Sequence, residues 1–184
     1  TIKGHDDEPV VQVSYNDALA YARWAGRELP TEEQYEYAAR GGLDGKIYAW
    51  GDELTPGGRW MANVWQGEFP DKNTAADGYS GIAPVGCFPS NGYGLYDMIG
   101  NVWKWTSSLY VESGDVGTPP SRVQRTIKGG SYLCSTDFCR RFRPAARQPQ
   151  ETGFSSQHIG FRTVSNKERE WDQKEIDSPA PQVK

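Results

Sequence analysis

The sequence has few thiols, few imidazoles and no long apolar run. Its 3 cysteines are too few for a small fold held together by disulfides, and no stretch of about 18 apolar residues is present to span a membrane. Its 2 histidines are His5 and His158. A catalytic triad would depend on His158, because we expect His5 to lie in a mobile N-terminal segment. The alternative for His158 is a partly buried, hydrogen-bonded ring.

The chain also has no strong excess of positively or negatively charged residues. The chain has 20 Lys and Arg against 24 Asp and Glu, a net charge of −4 and no long basic block, which argues against nucleic acid or an anionic membrane as the main partner. Aromatic residues are plentiful instead, with 7 Trp, 10 Tyr and 6 Phe, and there are 21 Gly and 12 Pro among 184 residues. This composition predicts one domain with an aromatic core and many turns.

Two short helices are predicted near the N-terminus. Ser14 and Asp17 form an N-cap pattern, after which apolar residues recur at helical spacing until Gly26. Thr31 and Gln34 form a capping box for a second helix, which the following glycine pair ends. Helical periodicity is then lost. Short strands are predicted at Val102-Trp103, Val123 to Ile127, Ser131 to Leu133 and Ile159 to Val164.

The candidate reactive centre is a pair of cysteines, Cys134 and Cys139, separated by four residues. Without further cysteines or clustered histidines, two thiolates suit a soft ion of low coordination number such as Cu(I), or a redox-active pair. Two unrelated buried cysteines and a labile disulfide are the alternatives. Arg140, Arg141 and Arg143 follow the pair, and their charges favour thiolate over thiol. A solvated basic face is the alternative for these arginines.

A second candidate site lies in a glycine-rich segment with several oxygen-bearing side chains. Asn63, Asp71, Asn73 and Asp77 are the residue types that hard cations prefer, although their spacing is not that of an EF-hand. Turn formation by Asn and Asp is the alternative.

Seven segments, in this order along the chain, resemble the formylglycine-generating enzyme (sulfatase-modifying factor) family. They are residues 27–42, 48–51, 62–70, 91–96, 100–105, 129–134 and 159–162. The resemblance covers roughly residues 9–164, the C-terminal two-thirds of the usual family domain. We therefore expect residues 1–164 to form one domain that lacks its usual N-terminal portion, followed by a polar C-terminal tail at 165–184.

The resemblance implies an irregular α+β fold, distantly similar to C-type lectins and low in regular secondary structure. It also implies a copper-dependent oxidase that uses O2 to convert a cysteine in a sulfatase Cys-x-Pro-x-Arg motif to Cα-formylglycine. Cu(I) would be held by Cys134 and Cys139, with Cys139 as the more accessible thiol that exchanges with the substrate. Ser131 and Trp103 match residues that line the copper and O2 pocket.

Family calcium sites are implied as well. The first would use the side chains of Asn63 and Asp77 and the backbone carbonyls of Val64 and Tyr79. The second would use Asp97, Gly100 and Val102 with a glutamate, but this chain has Lys104 at the glutamate position, and an ammonium repels Ca2+. We predict one calcium, with Lys104 paired to Asp97 in place of the second ion.

Other departures from the family concern the reactive centre and the disulfides. Ser135 stands where the family often has His, and His158 where it often has Asn, which affects substrate binding or proton transfer. The positions of the secretory-pathway enzymes' four structural cysteines hold Ala22, Ala39, Pro144 and Thr163. We therefore expect a bacterial protein, in the cytoplasm, with a secreted or periplasmic location as the alternative. Cys87 is predicted to be buried and inert.

Two other functions stay open. The scaffold could bind peptide or glycan without catalysis, since lectin-like folds are reused for recognition. It could also be a family oxidase that acts on a different protein or a small thiol. The expected partners are an unfolded sulfatase peptide segment and, as a separate chain, the missing N-terminal portion of the domain. Without that portion we expect exposed apolar surface.

Overall fold

A computed structural model of the chain describes residues 3–111 and 123–165. Long irregular segments join a few regular elements in these ranges, as predicted from the glycine and proline content. The elements are helices α1 (Tyr15–Trp24) and α2 (Glu32–Arg40), a 3₁₀ turn (Pro56–Gly58), and strands β1 (Trp103–Leu109), β2 (Gln124–Lys128), β3 (Arg147–Glu151) and β4 (Ile159–Phe161). The predicted tail lies outside the described residues, except for its first residue. Neither helix is long and apolar enough to cross a membrane.

Both helices begin at capping boxes, as predicted. The Ser14 hydroxyl accepts the Asp17 backbone N–H at 3.2 Å, and the Asp17 carboxylate accepts the Ser14 N–H at 2.9 Å. Thr31 and Gln34 make the same reciprocal pair at 3.1 and 2.8 Å. Gly41 ends α2 in a left-handed conformation with φ of 57°. A Cβ at Gly41 would lie 2.8 Å from the Asn91 side chain, so this position needs glycine for space as well as for its φ.

The four strands form one sheet in the order β3-β2-β1-β4. β2 is antiparallel to both β1 and β3, and β4 is parallel to β1. Trp105 on β1 lies opposite Ile127 on β2 and Phe161 on β4, so the central strand is paired on both sides. Three of the predicted strands are therefore confirmed, with shifted ends.

One predicted strand is wrong and one strand was missed. Residues 131–133 form a turn, in which the Ser131 carbonyl accepts the Cys134 N–H at 2.9 Å. β3, with the sequence Arg-Gln-Pro-Gln-Glu, has no apolar alternation and contains Pro149. It forms because it lies at the edge of the sheet, where pairing with one neighbour suffices.

The core is aromatic, as the composition predicted. Trp103, Trp105, Tyr35 and Phe142 are at most 2% exposed. The Trp105 ring N–H donates to the Val13 carbonyl at 3.0 Å, and the Tyr35 hydroxyl donates to the Met98 carbonyl at 2.5 Å.

Cys87 is exposed, which contradicts the prediction that it is buried. The apolar position of this loop is taken by the next residue, Phe88, which is 7% exposed. The Cys87 thiol instead makes a hydrogen bond to the Tyr79 hydroxyl, which raises the pKa of Tyr79.

Candidate functional site

The loop after β2 brings two thiols together. Cys134 Sγ and Cys139 Sγ lie 3.1 Å apart, and both cysteines are free. This separation is longer than the S–S bond of about 2.05 Å in a disulfide. The pair is therefore a hydrogen-bonded pair of thiols, and neither a disulfide nor two unrelated cysteines. A turn produces it, because the Cys139 N–H donates to the Ser135 carbonyl at 3.2 Å.

The two thiols differ in exposure and in charge. Cys134 is 2% exposed, whereas Cys139 is only partly buried, in agreement with the greater accessibility expected for Cys139. The hydrogen bond from Cys134, helped by Arg141 and opposed by burial, lowers the pKa of Cys139 to about 6. That same bond and burial raise the pKa of Cys134. At neutral pH the pair therefore holds one negative charge, on the sulfur nearer to solvent.

Only one of the three arginines acts on the pair. Arg141 places Nη1 3.9 Å from Cys139 Sγ and is held there by Gln148 Oε1 at 2.8 Å. Arg140 and Arg143 are exposed, and the Arg143 side chain donates to the Arg140 carbonyl at 2.8 Å. The predicted effect on the thiolate is confirmed for Arg141, and the solvated alternative describes the other two.

Ser131 lies beside the thiol pair in a fully buried position. Its hydroxyl lies 3.2 Å from His158 Nδ1 and accepts the Leu133 N–H at 3.3 Å. Two glycines with positive φ place it there: a Cβ at Gly130, which has φ of 73°, would lie 2.9 Å from Phe142 Cα. The chain therefore passes close to Phe142 before turning into the reactive loop.

His158 is a partly buried, hydrogen-bonded ring, as the alternative prediction for this residue stated. Burial lowers its pKa. Its carbonyl accepts the Trp103 N–H at 2.8 Å, which ties this end of β4 to β1. Trp103 is 2% exposed and belongs to the same hydrophobic core as Cys134.

Three aromatic rings beside the thiol pair were not predicted. Trp65, Phe69 and Phe138 form a row that we call the aromatic shelf. The Trp65 backbone N–H donates to the Cys134 carbonyl at 2.9 Å, and the Trp65 ring meets Phe69 edge-on at 5.1 Å. Phe69 stacks on Phe138 at 4.4 Å, and Phe138 is 68% exposed. The signal in the sequence was the presence of aromatic residues in two otherwise polar, turn-rich segments.

The residues of the predicted first calcium site lie together. The Asp77 carboxylate accepts the backbone N–H groups of Val64 and Tyr79 at 3.1 and 2.9 Å. The Val64 carbonyl accepts the side-chain amide of Gln66. Asn63 Oδ1 is buried and, within the described part of the chain, has no hydrogen-bond partner. A buried oxygen without a donor fits a cation, because buried polar atoms are otherwise almost always paired.

The other two oxygen-bearing residues of this segment do not join the site. Asn73 Oδ1 accepts the Ala75 N–H at 2.9 Å, which is the turn-forming alternative, and Asp71 is exposed. Over residues 3–111 and 123–165, no three His, Cys, Asp or Glu side chains converge. A cation at Asn63 would therefore depend on amide and carbonyl oxygens with one carboxylate.

At the predicted second calcium site, Lys104 donates to a backbone carbonyl. Its Nζ lies 2.8 Å from the Gly100 oxygen, and the residue is 4% exposed. Burial and the nearby Arg162, opposed by Asp97, lower the pKa of Lys104 to about 7. The Asp97 carboxylate accepts the Gly86 N–H at 2.7 Å. Lys104 thus takes the carbonyl oxygen predicted to bind the ion, and Val102 lies between Gly100 and Lys104 in the same buried segment.

Asn101, which was not predicted as a site residue, links the segment around Asn63 to the reactive loop. Its side-chain oxygen accepts N–H groups of Asn63 and Ala83 at 3.2 and 3.0 Å. Its carbonyl accepts the Tyr132 N–H at 2.8 Å. Asn101 has φ of 60°, a conformation that asparagine tolerates better than most residues.

Comparison with known proteins identifies the family. The family model described as the sulfatase-modifying factor enzyme 1-like domain matches residues 1–167. The chain belongs to the sulfatase-modifying factor family. The predicted irregular α+β fold, with its distant likeness to C-type lectins, is confirmed for this family member.

Some relatives of this sulfatase-modifying factor family member are named as enzymes, and others are named as inactive proteins. It is 52% identical over 172 residues to the formylglycine-generating enzyme of Streptomyces coelicolor, covering 90% of this chain and 55% of that protein. It is 44% identical over 161 residues to a Mus musculus protein named inactive C-alpha-formylglycine-generating enzyme 2, covering 86% and 49%. The structure of PvdO from Pseudomonas aeruginosa matches with a TM-score of 0.66 at 26% identity, covering 85% and 61%. The chain spans about half the length of the curated relatives that it matches.

Proposed function

We propose that this protein is a formylglycine-generating oxidase, which uses O2 to convert a cysteine in a sulfatase Cys-x-Pro-x-Arg segment to Cα-formylglycine. The observation that carries the proposal is the thiol pair, with Cys134 buried and Cys139 accessible at a sulfur separation of 3.1 Å. A protein that only binds peptide has no need for a buried pair of free thiols. The relatives named formylglycine-generating enzyme support the same reaction.

The donor set fits Cu(I). Two thiolates are the ligands that a soft, reduced copper ion prefers, and Cys134 and Cys139 would hold it. When bound, the ion would supply the activation of O2. Arg141, whose Nη1 lies 3.9 Å from Cys139 Sγ, offsets negative charge at that sulfur. The surrounding core, including Trp103, keeps water from the inner sulfur, which is 2% exposed.

The overall reaction needs a reductant. Converting CH2–SH to an aldehyde removes two electrons and releases the sulfur as hydrogen sulfide, whereas reducing O2 to water takes four. An external thiol supplies the other two electrons and is oxidised to a disulfide. Cys139, as the more exposed thiol of the pair, is where the substrate cysteine enters.

The substrate is an extended peptide that lies along the aromatic shelf. Phe138 directly precedes Cys139, is 68% exposed and stacks on Phe69 at 4.4 Å, so its free face is available to a proline or an apolar side chain. Such a ring beside a reactive thiol positions a peptide without requiring the ring to move. A small thiol would gain little from this surface, which favours the peptidyl substrate over the small-thiol alternative.

We also propose one calcium ion per chain, at Asn63, Val64, Asp77 and Tyr79. The unpaired Asn63 oxygen supports this site. The site at Asp97, Gly100 and Val102 does not bind calcium, because the Lys104 Nζ lies 2.8 Å from the Gly100 oxygen.

The second candidate function is binding without catalysis, which the 44% identity to a relative named inactive favours. One experiment separates the two. The protein is incubated with Cu(I), O2, a thiol reductant and a Cys-x-Pro-x-Arg peptide, and the peptide mass is followed for conversion of thiol to aldehyde. We expect conversion by the parent protein and none by Cys139→Ser. A peptide with the Pro and Arg replaced should be converted more slowly, and equal rates would indicate a different thiol substrate.

Absence of conversion by copper-loaded protein would reject the oxidase proposal. Peptide binding that survives in Cys139→Ser would then favour the non-catalytic function. For the metal itself, Cys134→Ser and Cys139→Ser should each abolish tight Cu(I) binding, and retained affinity in either variant would reject the two-thiolate site.

A further inference from the structure

Lys104 and Arg162 line the same pocket, which does not include the thiol pair. Its walls come from residues 9–10, the loop at 85–86, residues 96–104 and the end of β4, and its volume is about 380 Å³. Sites for small molecules usually have volumes of about 300–1,000 Å³. Among the described residues, no carboxylate forms an ion pair with either basic side chain.

The Lys104 ammonium is buried, and its hydrogen-bonding capacity is only partly used. The residue is 4% exposed, and its Nζ donates to the Gly100 carbonyl at 2.8 Å. An ammonium has three hydrogens, so two of them find no acceptor in the described part of the chain. Asp97 also lines the pocket, but its carboxylate accepts the Gly86 N–H at 2.7 Å. Because a buried charge without a counter-charge is costly, this lysine indicates an anionic ligand.

The Arg162 guanidinium has unused donors as well. Its Nη1 lies 2.9 Å from the Tyr96 carbonyl oxygen and 2.7 Å from Met98 Sδ, which fixes one end of the group. Its Nε and Nη2 have no acceptor among residues 3–111 and 123–165. A planar guanidinium with a free edge matches the two oxygens of a carboxylate. The second basic side chain of the pocket therefore indicates the same class of ligand as the first.

The walls around these charges are mostly apolar. Val10, Val85 and Tyr96 are exposed, and Val102 and Phe161 continue the apolar surface into the pocket. Exposed apolar side chains that are grouped around a concave surface often mark a binding site. A bare phosphate or sulfate would leave these walls in contact with water, whereas an uncharged apolar molecule would leave the ammonium without a counter-charge. The ligand therefore needs both an apolar body and a negative charge.

We propose that this pocket binds a monocarboxylate with an apolar body, its carboxylate held by Lys104 and Arg162 and its body packed against Val10, Val85 and Phe161. One carboxylate suits the pocket, because Asp97 already offsets one of the two positive charges and would repel a second anionic group. The proposal is independent of the proposed function, since none of its residues belongs to the thiol pair or the aromatic shelf.

Octanoate is the probe for the first test, because it joins one carboxylate to a short alkyl chain. Calorimetric titration is done at pH 6, where Lys104 is charged, since burial and Arg162 lower its pKa to about 7. Octanamide keeps the chain without the charge and should bind at least about tenfold more weakly. Acetate keeps the charge without the chain and should bind at least about a hundredfold more weakly. Failure of octanoate to bind, or binding no tighter than that of octanamide, would overturn the proposal.

Variants of the two basic residues test where the carboxylate binds. Lys104→Met and Arg162→Met each remove a charge and keep an apolar side chain, so each should weaken octanoate binding about tenfold. Octanamide affinity should stay within about a factor of three of the parent value, because the walls are unchanged. Lys46→Met is the control, since Lys46 pairs with Asp52 on the surface, outside the pocket. Parent-like octanoate affinity in either pocket variant would overturn the proposal.

A substitution in the exposed wall keeps the test decisive if either of those variants fails to fold, which thermal unfolding detects. Val85→Asp places a negative charge beside the pocket and should weaken octanoate binding about tenfold more than Val85→Asn, which is polar but uncharged. Equal octanoate affinity in these two variants would overturn the proposal. Sedimentation of the parent and Val85→Asp tests a different occupant: a parent dimer that the substitution dissociates would place a second copy of the chain in the pocket and reject the carboxylate ligand.

Discussion

The Lys104 ammonium nitrogen lies 2.8 Å from the Gly100 carbonyl oxygen, at the point where the family resemblance implied a calcium ion. A lysine amine at this distance occupies the space beside the carbonyl oxygen, and its positive charge opposes a calcium ion there. Asp97 lies close enough to oppose the fall in the pKa of Lys104, although the hydrogen bond goes to Gly100. We predicted that Lys104 pairs with Asp97, but its hydrogen bond goes to the backbone oxygen of Gly100.

We expect Lys104→Glu to create a second calcium site. The new carboxylate would join Asp97 and the freed Gly100 carbonyl, which are the hard oxygen ligands that Ca2+ prefers. Calorimetric titration should show one ion per chain for the parent and two for the variant, with a larger rise in melting temperature on adding calcium. Lys104→Gln is the matched control, since it removes the ammonium without adding charge. Two ions in the parent would contradict the prediction, as would one ion in Lys104→Glu.

Alkylation of the metal-free protein should show a reactive thiolate at Cys139. Because the pKa of Cys139 is lowered to about 6, its thiolate fraction rises through that pH, well below the ordinary thiol value of about 8.5. The experiment is done in a Cys87→Ala background, because Cys87 is also exposed. The rate of iodoacetamide labelling, resolved by peptide mapping, should reach half its maximum near pH 6 at Cys139.

The role of the inner thiol is tested in the same assay. Cys134→Ala removes the S–H donor and should move the alkylation midpoint of Cys139 upward, toward its ordinary value. Cys134→Ser keeps an O–H donor and should move it less. Identical pH profiles for Cys134→Ala and the parent would show that Cys134 does not stabilise the Cys139 thiolate.

The parts of the fold that the sequence predicted are those set by neighbours along the chain. Both helices were placed because Ser14 with Asp17, and Thr31 with Gln34, satisfy each other over three residues. β3 could not be read in this way, because nothing local in Arg147–Glu151 favours a strand and its pairing with β2 decides it. Residues 131–133 were misread because their apolar pair follows a glycine turn whose direction is set by contact with Phe142.

In the reactive site, too, the sequence predicted residues that are close along the chain and missed contacts between distant ones. Cys134 and Cys139 are close in sequence, yet their spacing alone left four interpretations open, and the turn through Ser135 excludes two of them, a disulfide and two unrelated cysteines. The aromatic shelf joins residues about 70 positions apart, so no sequence window contains it. The bond between Ser131 and His158 likewise depends on β4 lying beside β1.

Phe138 on the aromatic shelf should contribute to peptide binding. Phe138→Ala removes an exposed ring next to Cys139, and we expect KM for a Cys-x-Pro-x-Arg peptide to rise about tenfold, the usual effect of a contact that contributes more than about 1 kcal/mol. The kcat should change little, since the thiol pair is left intact. Trp24→Ala is the control, because Trp24 is even more exposed, at 80%, but lies on α1. An unchanged KM for Phe138→Ala, or an equal rise in the control, would place the peptide elsewhere.

The fold beneath the site depends on a buried lysine. Lys128 ends β2, is fully buried and lies 3.1 Å from Glu36 and 3.8 Å from Glu32 on α2. We expect Lys128→Met to lower the free energy of unfolding by about 2 kcal/mol at neutral pH, because Glu36 and Glu32 each lose one charged partner but keep Arg40 at 2.6 Å and Arg147 at 2.8 Å. Lys46→Met is the matched control: Lys46 pairs with Asp52 at 2.7 Å on the surface, where such pairs contribute less than about 1 kcal/mol.

The difference in free energy of unfolding between Lys128→Met and the parent should depend on pH. Burial would raise the pKa of Glu36, but hydrogen bonds and charge from Arg40 and Lys128 outweigh it and lower that pKa from 4.5. A carboxylate with a lowered pKa contributes stability above its unfolded value, and that contribution is lost as the pH falls through the folded value. Urea unfolding should therefore show a lower free energy of unfolding for Lys128→Met than for the parent. The difference should be largest at pH 6 to 7, at about 2 kcal/mol, and should shrink below about pH 4. A deficit that stays constant with pH would show that Lys128 stabilises the α2 contact by packing its methylene groups, with no contribution from the charge of Glu36.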